Sequence, residues 1–287
     1  MLQMLSRVLL GCFTTLTLSL LACLPAAGQS AGNEEVPFIT SPDNVSLEML
    51  RMADVRTTDH VIDLGSGDGR IVILAAKRFG ATGLGVEIDP ALVRRSQRSA
   101  RDAGVADRVQ FRVEDLFTTN LSSATVITMY LLPEFNLRLR PALLALKPGT
   151  RIVSHDWDMG DWQPEASTVV PVPEKAVGHE KSSKVHLWVV PARVEGLWCG
   201  TGLLRGSALA FSQRHQLVGG TLTYRNRSRT IEGRIRGTSL SVAHGRSGEL
   251  RLVVKGDEMG ITAAQGDLLA ARGQSFKRAE AGSSRCA

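Results

Sequence analysis

The sequence has 287 residues, of which 43% are hydrophobic and 22% charged, an ordinary globular composition with room for one large domain or two modest ones. The net charge of +6 is uneven, because residues 193–287 carry 15 Lys and Arg against 7 Asp and Glu. These basic residues are scattered through strand-like segments, without a basic helix or a set of aromatic residues, which argues against nucleic-acid binding.

The first 28 residues predict an export signal. Arg7 gives a positive start, residues 8–21 form an apolar stretch, and PAAG supplies small residues suited to cleavage near Gln29. The apolar stretch is short for a membrane-spanning helix, which needs about 20 residues, although a retained anchor stays open. LLAC, which ends at Cys23, resembles a bacterial lipoprotein box. We therefore expect a periplasmic or envelope-associated protein, either soluble or lipidated.

Two cysteines, Cys199 and Cys286, would remain in the mature protein. They could pair in an oxidising compartment, or both could stay reduced. No CxxC motif or Cys/His cluster predicts a metal site.

From His60 onward, a pattern of strand, glycine loop and helix recurs. The predicted strands are HVIDL, TGLGVEID, RVQFRVED, ATVITMYLL, TRIVSHD and SKVHLWVVPA, and the predicted helices between them include RIVILAAKRFG, a helix opened by Pro90, and PEFNLRLRPALLALKPG. Strands that alternate with helices predict an α/β fold with a doubly wound, Rossmann-like parallel sheet, which we assign to residues 34–192. The proline-containing segment before the last strand, EASTVVPVPEKAVGHEKSS, is predicted to be a loop.

After Pro191 the period changes to short, alternating segments that are punctuated by glycine, such as QLVGGTLTYRN and GELRLVVKG. This pattern predicts a small antiparallel β domain, a meander or a barrel, over residues 193–287.

The loop GSGDG carries the strongest chemical signal. Glycines let a ligand approach the backbone, and the helix that follows offers unpaired N–H groups. A dinucleotide fold needs GxGxxG to seat a pyrophosphate, whereas here Gly65, Gly67 and Gly69 alternate, and Asp63 and Asp68 are acidic. S-adenosylmethionine carries a sulfonium cation and no phosphate, so these carboxylates favour it where a pyrophosphate would be repelled.

Two further acids end the next two strands. Glu87 lies about 20 residues past the loop, where an acid can accept hydrogen bonds from ribose hydroxyls. Asp115 ends the third strand and could accept a hydrogen bond from the adenine amino group, with Leu116 and Phe117 beside the ring. Each acid alone could be a cap or a solvated strand end, but the set together with the loop is a specific constellation.

VIDLGSGDGRIVILAA, GVEIDPALV, VEDLF and LKPGTRIVS resemble class I, seven-strand S-adenosylmethionine-dependent methyltransferases. The leading PFITSPDNV and the later YLLP resemble, more closely, the small protein-lysine methyltransferase group that includes the mitochondrial enzyme acting on ATP synthase. The resemblance covers roughly residues 36–190. It implies S-adenosylmethionine as the cofactor, bound by Thr40, Asp63, Gly65, Ser66, Gly67, Asp68, Gly69, Glu87, Ile88, Asp115 and Leu116.

TMYLLPEFN, residues 128–136, lies where the acceptor site is expected. In methyl transfer to nitrogen the cofactor carries the hard chemistry, so the protein mainly aligns and desolvates the nucleophile. Burial lowers the pKa of a lysine without any dedicated base, and Tyr130, Leu131, Leu132 and Pro133 are predicted to form such an apolar channel. The segment lacks the N/D-P-P-Y/F pattern of enzymes that methylate exocyclic amines of bases, which argues against DNA or RNA as the substrate.

SHDWDMGDW follows the fifth strand. His155 or Asp156 could contact the acceptor or take a proton, and Trp157 and Trp162 could form walls, although a loop-capping role stays open. The sequence thus predicts an N-methyltransferase that acts on a protein lysine. The alternatives are methylation of a small molecule or envelope component, or a protein that binds S-adenosylmethionine without catalysis and whose β domain is a binding or structural module.

Overall fold

Helices and strands alternate through the first half of the chain, as the apolar runs bounded by glycine and proline predict. The helices are α1 (Asp43–Met52), α2 (Arg70–Phe79), α3 (Pro90–Asp102) and α4 (Pro133–Leu144). The strands are β1 (His60–Leu64), β2 (Thr82–Glu87), β3 (Val109–Val113), β4 (Val126–Met129), β5 (Arg151–His155), β6 (Ala166–Pro171) and β7 (Ser182–Val189).

These seven strands form one sheet in the order β3-β2-β1-β4-β5-β7-β6. Strands β1 to β5 are parallel, and β7 runs antiparallel to both of its neighbours, β5 and β6. The predicted doubly wound seven-strand sheet is therefore confirmed.

The computed structural model describes residues 39–175, 180–224, 227–244, 248–280, 282–283 and 285–286. The predicted export signal and its Cys23 lie outside the described residues. Residues 39–287 form one compact unit. Within the described ranges, no helix combines the length and the apolar character needed to cross a membrane.

Helices cover both faces of the sheet. Successive residues of a strand point to opposite faces, so neighbouring residues pack against different helices. Val61 of β1 packs in a cluster with residues of α1 and α2, whereas its neighbour Ile62 packs with Leu139 and Leu143 of α4. The carboxyl ends of β1 to β5 share one edge, which is where open α/β sheets bind their ligands.

Two strand predictions differ from the structure. The predicted strand ATVITMYLL is shorter, since β4 ends at Met129 and the next three residues lead into α4, which begins at Pro133. The segment predicted as a loop before the last strand contains β6, an edge strand that pairs with β7. Its proline, Pro171, is tolerated because it stands at the end of an edge strand.

The second half of the chain forms a closed antiparallel barrel, which confirms the predicted β domain. Its strands are β8 (Gly196–Gly200), β9 (Ser207–Arg214), β10 (Leu217–Tyr224), β11 (Arg227–Arg236), β12 (Ser239–His244), β13 (Gly248–Lys255), β14 (Glu258–Ala264) and β15 (Ser275–Arg278). Each pairs with the next, and β15 pairs with β8 to close the barrel. Large apolar side chains fill the interior, among them Trp198, Leu252 and Phe276. The predicted domain boundary at residue 192 lies between β7 and β8.

Cys199 of β8 and Cys286 form a disulfide bond. The bond ties the C-terminal residues to the seam where β8 meets β15.

Candidate functional site

The glycine loop between β1 and α2 forms an open backbone cradle. Gly65, Gly67 and Gly69 have φ angles of +72°, +54° and +81°, a conformation that side chains rarely adopt. A Cβ on Gly69 would lie 2.7 Å from the ring of Phe111, so only glycine fits there. The buried hydroxyl of Ser66 has no hydrogen-bond partner in the part of the chain that the structure describes. The three glycines thus let the backbone make a turn that larger residues could not make here.

Glu87 lies beside this cradle, at the carboxyl end of β2. Its Oε2 accepts a hydrogen bond from the Gly67 N–H at 2.9 Å, and its Oε1 accepts from the N–H groups of Ile88 and Asp89 at 2.8 and 3.1 Å. These bonds orient the carboxylate and leave acceptor capacity on Oε2 for a ligand hydroxyl. The adjacent side chain of Ile88 is 71% exposed, so it offers an apolar surface that a flat ring would cover.

Asp63 is buried beneath the loop at the end of β1. Its Oδ1 accepts a hydrogen bond from Thr128 Oγ1 of β4 at 2.7 Å. Burial raises the pKa of Asp63 to about 7; the bond from Thr128 opposes this rise, and the nearby carboxylates Glu87 and Asp68 add to it. A cationic ligand group near the loop would stabilise the ionised form, because an opposite charge lowers the pKa of a carboxyl.

The carboxylate of Asp68 forms an ion pair with Arg70, at the start of α2. Its carboxylate accepts hydrogen bonds from Nη2 and Nε of Arg70 at 2.7 and 3.0 Å. Burial works to raise the pKa of Asp68, but the Arg70 guanidinium outweighs it and holds that pKa below its usual value. Arg70 Nη1 also donates to the carbonyl of Ser41 at 3.0 Å, which fastens the segment before α1 to the loop. Thr40, partly buried, precedes Ser41 in that segment.

Asp115 follows β3 at the same edge of the sheet. Its Oδ1 accepts a hydrogen bond from the Phe117 N–H at 2.8 Å, so the side chain caps its own turn, and its contact with an adenine stays a prediction. Leu116 is partly buried, and the Phe117 ring meets Phe135 edge to face with the ring centroids 5.4 Å apart. The predicted cofactor residues at the ends of β1, β2 and β3 thus share one edge.

The acceptor-side residues follow β4 and β5. The ring of Tyr130 stacks on the ring of His155, with centroids 3.8 Å apart and planes 24° apart. Next to Tyr130, Leu131 Cδ2 lies 3.0 Å from the position that a Cβ on Gly65 would take. The segment YLLP therefore contacts the cradle. Its last two residues open α4, where Leu132 is exposed and Pro133 is the first helical residue.

His155 is only 1% exposed. Its Nδ1 lies 2.8 Å from Ser41 Oγ, within a hydrogen bond, and its Nε2 has no hydrogen-bond partner among the described residues. Burial lowers the pKa of His155 well below its usual value, against the opposing charge of Asp156. The imidazole is therefore neutral at pH 7, and Tyr130 covers one of its faces.

The carboxylate of Asp156 is bound by two residues from the segment before β7 and from β7 itself, Lys175 and Lys184. Its Oδ1 accepts from the Lys184 N–H and its Oδ2 from Lys175 Nζ, both at 2.8 Å. Burial works to raise the pKa of Asp156, but the Lys175 ammonium and the Lys184 N–H outweigh it and hold that pKa low. Because its pKa is held low, the Asp156 carboxylate is a poor proton acceptor at neutral pH. Its φ angle of +62° places Asp156 in a tight turn after β5.

The two tryptophans of the following loop have different positions. Trp157, two residues after β5, is 44% exposed and its role as a wall stays a prediction, whereas Trp162 is 1% exposed. Trp162 packs against Trp188 and His215, so the prediction that it forms a wall of the site is wrong.

Asn136, which the sequence analysis did not single out, supports the backbone that follows β5. It is fully buried, and its Nδ2 donates to Ser154 Oγ and to the carbonyls of Trp157 and Asp158 at 3.2 to 3.3 Å. Asn136 shares the buried face of α4 with Leu139 and Leu143. A polar residue on that apolar stripe was the available signal.

With this geometry in place, the known relatives are informative. Residues 63–166 match the family model described as the ANTKMT methyltransferase domain. A protein-lysine N-methyltransferase from Saccharolobus islandicus is 39% identical over 157 residues, which are 54% of this chain and 94% of that protein. The chain belongs to this family of S-adenosylmethionine-dependent methyltransferases.

Two further matches each cover about half of this chain. A lysine N-methyltransferase of Mus musculus, named for the C-subunit of ATP synthase, is 31% identical over 46% of this chain, which spans about half (53%) of that relative. A crystal structure described as an RNA methyltransferase from Salinibacter ruber in complex with S-adenosyl-L-homocysteine is 48% identical, with a TM-score of 0.49, over 54% of this chain and 96% of that one.

S-adenosylmethionine is the methyl donor of this enzyme, and the residues at the edge fit it. The three loop glycines have positive φ angles, the oriented Glu87 can accept a hydrogen bond from a hydroxyl, and the exposed Ile88 can cover a flat ring. The carboxyl of Asp63 complements a cation rather than a phosphate. The individual ligand contacts of these residues stay predictions.

Proposed function

We propose that the methyltransferase modifies the side-chain amine of a protein lysine. The observation that carries the proposal is the acceptor side itself, where apolar and aromatic groups lie against the donor cradle and the predicted carboxylate base is already engaged. Leu131 contacts Gly65, Tyr130 stacks on a neutral His155, and Asp156 is held by Lys175. Such a surface suits an amine, which becomes a nucleophile once burial has removed its proton. The lysine N-methyltransferase activity for which the relatives are named supports the same acceptor.

In the proposed mechanism, the donor supplies a methyl group that is already activated by its sulfonium. Tyr130, Leu131 and Pro133 would enclose the lysine side chain and exclude water, which favours the neutral amine over the ammonium. The lysine Nζ then forms a bond to the methyl carbon while the carbon–sulfur bond breaks on the opposite side, and the electron pair of that bond stays on sulfur. The proton left on Nζ passes to solvent. The chain contributes alignment and desolvation.

The test is to incubate the purified protein with donor that is tritiated in the methyl group, together with bacterial envelope proteins, total RNA or a small-molecule extract in separate reactions. We expect label in the protein fraction, and peptide mass spectrometry should place a mass increase of one or more methyl groups on lysine. Label confined to RNA or to small molecules, or found on a carboxylate or hydroxyl of a protein, would contradict the proposal. The Glu87→Ala variant serves as the control for donor dependence.

We further propose that the enzyme works outside the cytoplasm, as a soluble or lipidated envelope protein. The N-terminal segment has the composition of an export signal, and the disulfide between Cys199 and Cys286 is a bond that persists in oxidising compartments. Expression in a bacterium, followed by fractionation and mass spectrometry of the N-terminus, should give a cleaved envelope form. An uncleaved cytoplasmic product with reduced cysteines would refute the proposed location.

A further inference from the structure

The loop between β5 and β6, residues 156–165, is here named the acceptor loop. Its first part borders the acceptor side and is held by α4. Asn136 donates to the carbonyls of Trp157 and Asp158, and Arg140 Nη1 donates to the Met159 carbonyl at 2.8 Å. These bonds act on backbone carbonyls, so they set the path of the loop where Trp157 is exposed.

The second part of the acceptor loop is held by the barrel. The last residue of β9 and the two residues of the turn to β10 contact three consecutive residues of the loop. Arg214 Nη2 donates to Asp161 Oδ2 at 2.8 Å, and the His215 ring stacks on Trp162 with centroids 6.0 Å apart. Gln216 Nε2 donates to the Gln163 carbonyl at 2.6 Å. Farther along, Arg234 of β11 donates to Glu165 Oε2 at 3.1 Å.

The turn has an unusual local structure. His215 has a φ angle of +53°, in the left-handed region that non-glycine residues rarely occupy. Gln213 Nε2 donates to the carbonyls of His215 and Ala192, at 2.8 and 3.0 Å, and Gln216 is only 2% exposed. Backbone strain of this kind persists where surrounding contacts determine it. The turn is therefore a fixed surface that presents its side chains to the acceptor loop.

We propose that Arg214, His215 and Gln216 are positioning residues for methyl transfer, and that the barrel serves to hold the acceptor-side wall in place. The inference rests on the proposed function in one respect, that the acceptor approaches past Trp157. Asp161 is held from two sides, by Arg214 of the barrel and by Arg140 of α4, and Trp188 Nε1 of β7 donates to the Trp162 carbonyl at 2.7 Å. If the barrel contacts are lost, Asp161 and Trp162 keep these contacts, whereas Gln163 loses the hydrogen bond from Gln216. The wall should then move more freely, because a segment with fewer tertiary contacts opens locally at lower cost.

The experiment uses the full chain and the double variant Arg214→Ala/Gln216→Ala, which removes an exposed ion pair and a partly buried hydrogen bond to the loop. Arg251→Ala is the matched control, since Arg251 pairs only with Glu249 among the contacts described, on the barrel at β13. Amide hydrogen exchange is measured by mass spectrometry for a peptide that covers residues 157–165. We expect exchange about ten-fold faster in the double variant, given the usual strength of one ion pair and one hydrogen bond, and no change in the control.

Two further readouts separate positioning from general destabilisation. The Kd for S-adenosylhomocysteine, measured by calorimetry, should stay within about two-fold of the wild type, and the rate of tritium transfer to envelope proteins should fall in the double variant alone. Unchanged exchange in the loop would overturn the proposal, as would a loss of S-adenosylhomocysteine binding, or faster exchange with an unchanged transfer rate. If the wild type transfers no label, the proposed function fails, whereas the exchange measurement still decides whether the barrel holds the loop.

Discussion

Replacing Asp63 by Asn should stabilise the protein above neutral pH. Asp63 is fully buried, and its pKa is raised from 3.8 to about 7, chiefly by burial. This difference in pKa between the unfolded and the folded chain corresponds to about 4 kcal/mol of stability. The folded protein keeps its proton up to about pH 7 while the unfolded chain loses it near pH 4, so the wild type loses stability as the pH rises between these values. An Asn side chain avoids this loss and can still accept the hydrogen bond from Thr128.

The measurement is the free energy of unfolding in urea at pH 5 and pH 8 for both proteins, without donor. The excess stability of Asp63→Asn should be about 2 kcal/mol at pH 5 and about 4 kcal/mol at pH 8. Asp102→Asn, at the exposed end of α3, is the matched surface control. If the difference between Asp63→Asn and the wild type is the same at both pH values, Asp63 ionises normally in the folded protein and the argument is wrong.

Three further outcomes are expected. Tyr130→Ala should reduce methyl transfer more than ~10-fold while the Kd for S-adenosylhomocysteine stays within about two-fold of the wild type. Glu87→Ala should weaken S-adenosylhomocysteine binding by about ten-fold or more in calorimetry. If Tyr130→Ala transfers methyl groups at the wild-type rate, YLLP contributes only to packing. Cys199→Ser should lower the free energy of unfolding in denaturant by about 4 kcal/mol, because the disulfide joins residues 87 apart. Dithiothreitol should lower the stability of the wild type to that of the variant and leave the variant unchanged. His155→Gln should flatten the loss of stability below pH 6.5, since burial lowers the pKa of His155 and the unfolded chain takes up the proton first; parallel acid-denaturation curves for the two proteins would exclude that role.

The parallel sheet and the cofactor edge could be predicted because their signals are local. HVIDL followed by GSGDG is a strand, a tight turn and a helix start within about fifteen residues. The acids Asp63, Glu87 and Asp115 each lie at or just after the carboxyl end of a strand. Once the strands are parallel, their carboxyl ends must meet at one edge. No distant contact had to be known.

What escaped prediction depends on contacts between distant residues. Trp162 lies in a loop by sequence, yet it is buried because Trp188 and a barrel residue, His215, cover it. Asp156 looked available as a base, but its carboxylate is engaged by Lys175, from a segment predicted to be a loop. β6 was missed for a similar reason, since an exposed edge strand lacks the buried apolar run that reveals a central strand.

The closing seam of the barrel has a consequence for how the chain reaches its folded state. β8 finds its second neighbour, β15, only after all six intervening strands have been made, and the disulfide at the seam joins residues 87 apart. Until then β8 and the growing end of the sheet are unpaired edges, which attract other strands. Contacts between such distant residues form slowly. During synthesis, the half-made barrel thus exposes strand edges that other chains can pair with, and a cell that makes the enzyme in excess should accumulate aggregates that are nucleated by β8 to β10.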